Sequence, residues 1–461
     1  MSILILFLLP FRLMLEARRL RLLHLMRWET AHYLPYNNSV QILTKRGKVN
    51  IFPLFFQTTM NEKIARTIDE LRQQAKKLHV NERLLEAIHL QLKIIDIADK
   101  SGALRAEDYH WLGVMLVAVR DFPNAAIAFK MVFKLDRNFL EVFFNLVFCL
   151  TRADRHGEAL TLIEISKKPI SNDDPDWLLL MAEIFWKTGN REISRQYGEK
   201  CLLLKDKIAC QQPHPAIHLK RAPRFRPDCP EQNIISFSLF GDQERYLTGA
   251  VKNVMAAKEY YPGWRCRFYC DDRVPKKTLS DIAQGGGQVK MMPRPQCFAD
   301  GLFWRFLVAE DPTVVRFLVR DADSVVNKRE QYAVNEWLMS GKPFHIMRDG
   351  YLCLDLILAG MWGGITGVLP YLATLLKGFA YDPVKAYAIV DQIFLGDRVW
   401  PLIKENCLIH DSIYRVFNAM DFPPGSELPP GRLVGDNDFA FSSDPNFVNV
   451  AAKDFRNSGI K

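Results

Sequence analysis

The sequence predicts a fold in two parts: an N-terminal all-α solenoid of helical repeats and a C-terminal α/β domain built on a mostly parallel sheet. Two observations support this prediction. Residues 61–206 carry helical periodicity in segments separated by short polar turns such as "RADRHGE". From residue 233 onward, short apolar runs alternate with helical stretches, which is typical of a parallel sheet with helices on both faces.

Residues 106–139 give the clearest repeat in the helical part. Large and small residues lie there at fixed offsets, so that two antiparallel helices can approach closely and fill the gap between them. The residues that carry this pattern are Leu112, Gly113, Ala125 and Phe129. The pattern resembles a tetratricopeptide repeat, and it recurs more loosely in the next two units. A helix pair at 61–79 and 82–100 precedes it.

The resemblance implies a repeat domain over residues 60–207, whose stacked units bury one another's apolar faces and offer a surface to a protein partner. A generic helical bundle is the alternative. Residues 208–232 follow as a linker, because the stretch from 211 to 232 carries five prolines and no helical period.

The first 59 residues receive no fold assignment. Their apolar start is shorter than the ~20 residues that a membrane-spanning helix needs, and it lacks the basic leader and cleavage site of a signal peptide. Residues 13–28 could form a basic amphipathic helix, which would place the protein peripherally at the inner membrane face. We favour the alternative, a disordered extension ahead of Met60.

Bulk composition limits the classes of partner. The chain has 461 residues and a net charge of +9, with the basic residues spread along it. A nucleic-acid surface needs clustered basic residues, so no nucleic-acid partner is predicted. Mild basicity fits an anionic small substrate or a membrane surface equally well. The nine cysteines include no C-x-x-C and no metal-finger spacing, which favours reduced, buried thiols and a cytoplasmic location.

The predicted α/β domain covers residues 233–440, followed by a tail at 441–461. Its predicted elements alternate between strands (233–241, 265–272, 287–292 and 314–319) and helices (242–259, 276–283 and 303–309). It contains no G-x-G-x-x-G and no G-x-x-x-x-G-K-[ST], which disfavours nicotinamide redox chemistry and P-loop hydrolysis.

The fourth strand runs into two carboxylates one residue apart, Asp321 and Asp323. Ligands of such sheets bind beyond the carboxyl ends of the strands. Three interpretations compete. The pair could hold Mg²⁺ or Mn²⁺ together with substrate phosphates, or form a solvated turn and helix cap. It also resembles the D-x-D of haloacid-dehalogenase phosphatases, whose first aspartate is a nucleophile, but three strand–helix units precede it here.

The pieces around the pair, taken in order, resemble GT-A nucleotide-sugar glycosyltransferases. They are "ISFSLFGDQERYLTGAVKNV", "GLFWRFLVAEDPTVVRFLVRDADS", "LDLILAGMWGG", "IVDQIFL" and "LIHDS". The resemblance implies metal-dependent transfer of a sugar from a nucleotide diphosphate sugar to a glycan, lipid or protein acceptor. The alternative is a non-catalytic repeat protein whose second domain is degenerate.

The same resemblance implies site residues. Asp321, Asp323 and His410 would hold Mn²⁺ or Mg²⁺, and Gly241 and Arg305 would lie near the nucleotide and its phosphates. A structural histidine is the alternative for His410, and a surface helix arginine is the alternative for Arg305. Gly363 and Gly364 would allow close approach of the sugar, or they would form a tight turn. His345, Arg348 and Asp349 could line the pocket. Asp391 would be the catalytic carboxylate, as a base or as a stabiliser of an oxocarbenium-like centre; a helix N-terminal charge is its alternative.

Overall fold

The computed structural model describes residues 52–136, 141–166, 173–380 and 389–436. The predicted amphipathic helix at 13–28 and the tail at 441–461 therefore lie outside the described residues. Among these described residues, those up to Thr67 belong to one compact unit and those from Ile68 onward belong to another, which contains helical hairpins and the sheet. Throughout the described ranges, no helix is both long enough and apolar enough to cross a membrane.

The predicted helix pairs are confirmed. The helices of this region are α1 (Phe52–Val80), α2 (Leu84–Ser101), α3 (Ala106–Ala118), α4 (Phe122–Leu135), α5 (Glu141–Arg152), α6 (His156–Ser166), α7 (Pro175–Lys187) and α8 (Arg191–Ala209). The first helices of the last three hairpins begin at residues 106, 141 and 175, about 34 residues apart, which is the period of a tetratricopeptide repeat.

The close approach of α3 and α4 follows from the pairing of a small with a large residue. A Cβ on Gly113 would lie 2.5 Å from the ring of Phe129, so only glycine leaves room for that ring. Leu112 and Ala125 are buried beside them. The residues that predicted the repeat are therefore those that pack the hairpin.

The α/β region forms a seven-stranded sheet in the described residues. Its strands are β1 (Asn233–Leu239), β2 (Arg265–Cys270), β3 (Gln288–Met291), β4 (Arg316–Val319), β5 (Phe344–Arg348), β6 (Trp362–Ile365) and β7 (Cys407–Asp411). Their spatial order is β3-β2-β1-β4-β6-β5-β7, and only β6 runs antiparallel to its neighbours. The predicted mostly parallel sheet is confirmed.

The strands are joined by helices and shorter turns. These are α9 (Glu244–Tyr260), α10 (Lys276–Gln284), α11 (Phe298–Phe303), the 3₁₀ turn Trp304–Glu310, α12 (Lys328–Ser340), α13 (Leu372–Leu376), α14 (Val390–Phe394), the π turn Leu395–Val399 and α15 (Trp400–Ile403). Two shorter 3₁₀ turns, Pro230–Gln232 and Lys404–Asn406, precede β1 and β7.

Both faces of the sheet are covered. Along β4, Phe317 and Val319 point into one core and Leu318 into the other, as the two-residue period of a strand requires. The first core also contains residues of α7 and α8: Leu178, Ala182, Cys201, Leu202 and Ala209. The end of the helical region and the sheet therefore share one apolar interior, although the Pro-rich stretch between Cys210 and Cys229 forms neither helix nor strand.

Candidate functional site

The candidate site lies where the connections leave β1 and β4 in opposite directions. From β1 the chain proceeds to β2 and β3 on one side, and from β4 it proceeds to β5, β6 and β7 on the other. Asp321 and Asp323 follow β4, and Gly241 follows β1. Such a switch point opens a crevice at the carboxyl ends of the strands, where doubly wound sheets bind ligands.

Helix α9 holds the turn that carries the two aspartates. A Cβ on Gly249 would overlap the carbonyl oxygen of Ala322, so the helix touches the turn at this point. One helical turn later, the buried amide of Asn253 donates to the carbonyls of Ala322 (3.3 Å) and Ser324 (3.0 Å). Its oxygen accepts from the backbone N–H of Val326 at 3.1 Å. The turn is therefore fixed to the helix on both sides of Asp323.

Asp321 is held by a buried arginine. The guanidinium of Arg305, only 4% exposed, forms an ion pair with Asp321 and donates to the carbonyl of Arg320 at 3.1 Å. Its other end donates to Asp391 at 2.6 Å. Burial would lower the pKa of Arg305, but the two carboxylates raise it. Arg305 is thus a charged bridge between Asp321 and Asp391.

Asp391 lies at the start of α14, as predicted, but it faces inward. It is 3% exposed, and burial raises its pKa against the opposing effect of Arg305. One of its oxygens accepts from Arg305, and the other accepts from the backbone N–H of Gln392 at 3.0 Å. Each oxygen thus accepts a hydrogen bond within the protein, and the role of Asp391 as a base stays a prediction.

Asp323 lies in a desolvated position beside a like charge. Its side chain is 15% exposed, and Nε of Arg245 lies 3.8 Å from Oδ2. Burial, and then the charge of Asp321, raise the pKa of Asp323 to about 6, although Arg245 opposes them. Arg245 also donates to the hydroxyl of Tyr246 at 2.5 Å. A carboxylate whose charge is disfavoured by burial and by a neighbouring carboxylate is one that a bound cation would stabilise.

A glycine that sequence analysis did not single out, Gly360, lies against Asp321. A Cβ at this position would overlap Oδ2 of that carboxylate. Gly360 lies near the end of the connection between β5 and β6, and the backbone N–H of the preceding Ala359 donates to Gln392 at 3.3 Å. The connection thus forms one wall of the space around Asp321.

Gly241 lies at the carboxyl end of β1, as predicted, with φ +77°. Its backbone N–H donates to Oδ1 of the buried Asp271 at 3.1 Å, and Arg273 pairs with the other oxygen of that carboxylate at 2.6 Å. The left-handed backbone at Gly241 and the buried ion pair therefore fix the loop that follows β1.

Gly363 and Gly364 lie inside β6, where the structure provides a different reason for them than sugar binding or a tight turn. A Cβ on Gly363 would lie 2.5 Å from the carbonyl oxygen of Phe317, and one on Gly364 would lie 2.5 Å from the ring of Phe344. Neither glycine has a positive φ among the described residues. Their small size serves packing within the sheet.

His410 is not brought to the aspartates. Val319, Trp362, Ile346 and Ile409 are aligned across four neighbouring strands, so β7 lies three strand spacings from β4, about 14 Å. Both ring nitrogens of His410 are engaged, with His345 at 2.8 Å and with Glu336 at 3.0 Å. The predicted third metal ligand finds no support in this placement.

The other predicted pocket residues are buried in structural contacts. His345 stacks on Trp337 with ring centroids 5.6 Å apart. Arg348 pairs with Asp411 at 2.7 Å, and both are fully buried. Asp349 accepts from Arg329 at 2.9 Å. These contacts stabilise the β5–β7 side of the sheet.

The donor set at Asp321 and Asp323 fits a hard divalent cation. Carboxylate oxygens suit Mg²⁺ and Mn²⁺, which commonly complete their coordination with water and substrate phosphates. Within the described part of the chain, no group of three or more His, Cys, Asp or Glu residues could hold a metal ion. The remaining ligands would therefore come from solvent and substrate.

Three residues of the site escaped sequence analysis: Arg245, Asn253 and Gly360. Arg245 lies in the segment "ISFSLFGDQERYLTGAVKNV" and precedes Gly249 by one helical turn. The helical period could therefore have indicated that both residues face the aspartates. Asn253 extends the same row. Gly360 carries no signal of its own, because its contact depends on how the β5–β6 connection folds back.

No family model and no curated protein matches the sequence. Solved structures with similar parts include MamA from Desulfovibrio magneticus RS-1, at 16% identity and TM-score 0.27, over 31% of this chain and 80% of that one. Another is YrrB, described as a TPR protein with an unusual peptide-binding site. Its sequence identity is 18% and its TM-score is 0.25, over 33% of this chain and 81% of that one. A mutant O-GlcNAc transferase of Thermobaculum terrenum matches with 15% identity and a TM-score of 0.27, over 53% of this chain and 44% of that one. Similarities this weak carry no argument about activity.

Proposed function

We propose that the α/β region is a divalent-metal-dependent glycosyltransferase that moves a sugar from a nucleotide diphosphate sugar to a glycan, lipid or protein acceptor. One observation carries the proposal: two carboxylates, Asp321 and Asp323, lie together at the switch point of a doubly wound sheet, and the charge of one raises the pKa of the other. The helical repeats would serve recognition of a protein partner or of the acceptor.

In this proposal Asp321 and Asp323 hold Mn²⁺ or Mg²⁺. The cation would neutralise charge on the departing diphosphate. The ion pair between Arg305 and Asp321 would orient the Asp321 carboxylate for metal binding. Since Asp391 binds the far end of the same guanidinium, we assign Asp391 to positioning Arg305.

The diphosphate itself would be met by the first turn of α9. This helix has 17 residues, and the N-terminus of such a helix carries a partial positive charge and free backbone N–H groups that favour phosphates. Arg245, in that turn, is 25% exposed and lies beside Asp323. A planar guanidinium next to a metal-binding carboxylate is well suited to bind a second phosphate oxygen.

The experiment is a thermal-shift titration with Mn²⁺ or Mg²⁺ and a panel of nucleoside diphosphates, starting with UDP. We expect a rise in Tm that needs both metal and nucleotide and that disappears in Asp323→Ala. Asp272→Ala is the control, because Asp272 is exposed and pairs with Arg294 in the loop after β2. Absence of a shift with every nucleotide would refute the proposal and favour a non-catalytic repeat protein.

A turnover assay distinguishes the remaining alternative. A donor screen that measures released nucleoside diphosphate would identify the sugar nucleotide. Hydrolysis of p-nitrophenyl phosphate that depends on Asp321 would instead indicate phosphatase chemistry with that residue as nucleophile.

A further inference from the structure

We propose that Lys205, on the last helix of the repeat region, is a positioning residue for the candidate metal-binding carboxylates. This inference rests on the proposed function, which assigns Asp321 and Asp323 to metal binding. It is carried by a continuous series of hydrogen bonds from α8 to the end of β4. We call these residues the polar chain: Lys205, Asp355, Gln392, Asp391, Arg305 and Asp321.

The polar chain begins between α8 and the connection from β5 to β6. Nζ of Lys205 donates to Oδ1 of Asp355 at 2.6 Å and to the carbonyl of Leu354 at 2.8 Å. The two side chains are 22% and 31% exposed, so the ion pair is only partly screened by water. The charge of Asp355 raises the pKa of Lys205 against the effect of burial, and the ammonium is therefore charged at neutral pH.

Gln392 is the centre of the polar chain. Its side-chain amide donates to Oδ2 of Asp355 at 2.5 Å, and its side-chain oxygen accepts from the backbone of Ala359 at 3.3 Å. Its own backbone N–H donates to Asp391 at 3.0 Å. One residue thus fixes the β5–β6 connection to the start of α14.

The polar chain reaches Asp321 by two routes. Asp391 binds Arg305, which binds Asp321. Ala359 precedes Gly360, which packs against the carboxylate of Asp321. A displacement of Gln392 therefore affects both the guanidinium of Arg305, which orients Asp321, and the backbone at Gly360, which limits the position of the Asp321 carboxylate.

Loss of the Lys205 charge would loosen this arrangement in a defined way. Asp355 would remain as an unneutralised carboxylate at a partly exposed position, and hydration would draw it toward water. Gln392 would then lose the acceptor of its amide, and both routes to Asp321 would relax. The expected result is weaker binding of a divalent cation without loss of the fold.

The same helix supplies a matched control. Asp206, the next residue on α8, accepts from Nζ of Lys404 at 2.8 Å and from the indole of Trp400 at 2.7 Å. The Lys404 and Asp206 side chains are 24% and 19% exposed, close to the values of the Lys205 pair. Both ion pairs join α8 to the α/β region, but the bonds of Asp206 lead to α15 and to the 3₁₀ turn that follows it, and not to the polar chain.

The experiment compares Lys205→Met and Lys404→Met in the full-length protein. Mn²⁺ binding is titrated in the presence of UDP, and amide hydrogen exchange is measured over residues 318–326 and 389–395. Lys205→Met should weaken Mn²⁺ binding about 3- to 10-fold and speed exchange in both segments by a similar factor, the usual size of such couplings. Lys404→Met should do neither, and Lys205→Arg should restore both values.

Equal effects of the two methionine variants, or faster exchange confined to residues 350–356, would overturn the inference. If Lys205→Met does not fold, Asp355→Asn removes the same ion pair and is read in the same way. Wild-type protein that binds no Mn²⁺ with UDP would refute the proposed function, and the exchange pattern alone would then decide whether Lys205 positions the Asp321 turn.

Discussion

Burial and the neighbouring Asp321 raise the pKa of Asp323 from 3.8 to about 6, which makes stability depend on pH. A carboxyl group with a raised pKa in the folded state stabilises the protein fully below 3.8, and this contribution is lost as the pH rises through 6. In the absence of metal, Asp323→Asn should therefore be more stable than wild type at pH 8, by up to about 3 kcal/mol. The difference should shrink toward pH 4, as chemical denaturation across this range would show.

Asp272→Asn is the control for this pH dependence. Asp272 is exposed, and its hydrogen bond with Arg294 lowers its pKa, so its replacement should bring no gain at pH 8. In wild type, Mn²⁺ affinity should fall as the pH drops through 6, because a cation competes with the proton for Asp323. An Asp323→Asn difference that does not vary with pH would contradict this description of the site.

Gly360 offers a second test at the level of one residue. Gly360→Ala would push a methyl group into Oδ2 of Asp321, and overpacking of this kind typically costs about 1–3 kcal/mol. Since the methyl acts on the carboxylate directly, we expect metal and nucleotide binding to fall by at least about tenfold. Thermal shift with Mn²⁺ and UDP would measure the loss.

Gly396→Ala is the matched control for that substitution. Its new methyl would meet nothing closer than 3.9 Å, and its φ is not positive, so stability and binding should stay near wild type. A Gly360→Ala protein that binds as well as Gly396→Ala would show that Asp321 can move aside without cost.

At the scale of the element, α9 determines the shape of the aspartate turn. Asn253→Ala would leave the carbonyls of Ala322 and Ser324 and the N–H of Val326 without their partner. Unsatisfied buried groups of this kind cost about 1–3 kcal/mol each, so we expect a loss of about 2–4 kcal/mol in unfolding free energy. Mn²⁺ binding should weaken in the same variant, because the turn carries Asp323.

Asn233→Ala separates the two effects. Asn233 is buried and donates to the carbonyls of Arg226, Cys229 and Gly263, but it lies at the opposite end of β1. We expect a comparable loss of stability with unchanged Mn²⁺ affinity at a temperature where both variants are folded. Equal weakening of binding in both variants would mean that α9 has no specific effect on the site.

Elements could be predicted from sequence where local pattern determines them. The strands predicted at 265–272 and 314–319 correspond to β2 and β4, and the turn after β4 is the predicted place of the site. The pattern around Gly363 did not indicate a strand, because two adjacent glycines are poor strand formers. Glycines are required there by packing. The carbonyl oxygen of Phe317 occupies the space that a side chain at Gly363 would need, and the ring of Phe344 occupies the space that a side chain at Gly364 would need.

At the scale of the whole molecule, spatial order decided which predicted site residues meet. Asp321, Arg305 and Asp391 are distant in sequence yet hydrogen-bonded. His410 lies at a similar height in the sheet but three strands away. The spatial order of the strands follows from tertiary packing and from the crossover connections. The apolar pattern along the sequence could therefore indicate where each strand lies and ends, but not which strands are adjacent in the sheet.

The shared core predicts that the sheet cannot be separated cleanly from the end of the helical region, despite the Pro-rich stretch between them. Cys201 and Leu202 of α8 are fully buried in the same core as Phe317 and Ile346. A fragment of residues 213–436 would expose the apolar surface that α7 and α8 cover, at a cost of about 25 cal/mol per Å². A fragment of residues 173–436 would keep that cover. We expect the longer fragment to unfold cooperatively and the shorter one to bind a hydrophobic dye and melt at lower temperature.

The ion pair of Lys404 with Asp206 is also lost in the shorter fragment, so Lys404→Met in the longer fragment measures that contribution separately. Equal melting temperatures for the two fragments would show that the sheet region is an independent domain, and the polar chain from Lys205 would then join two separable parts.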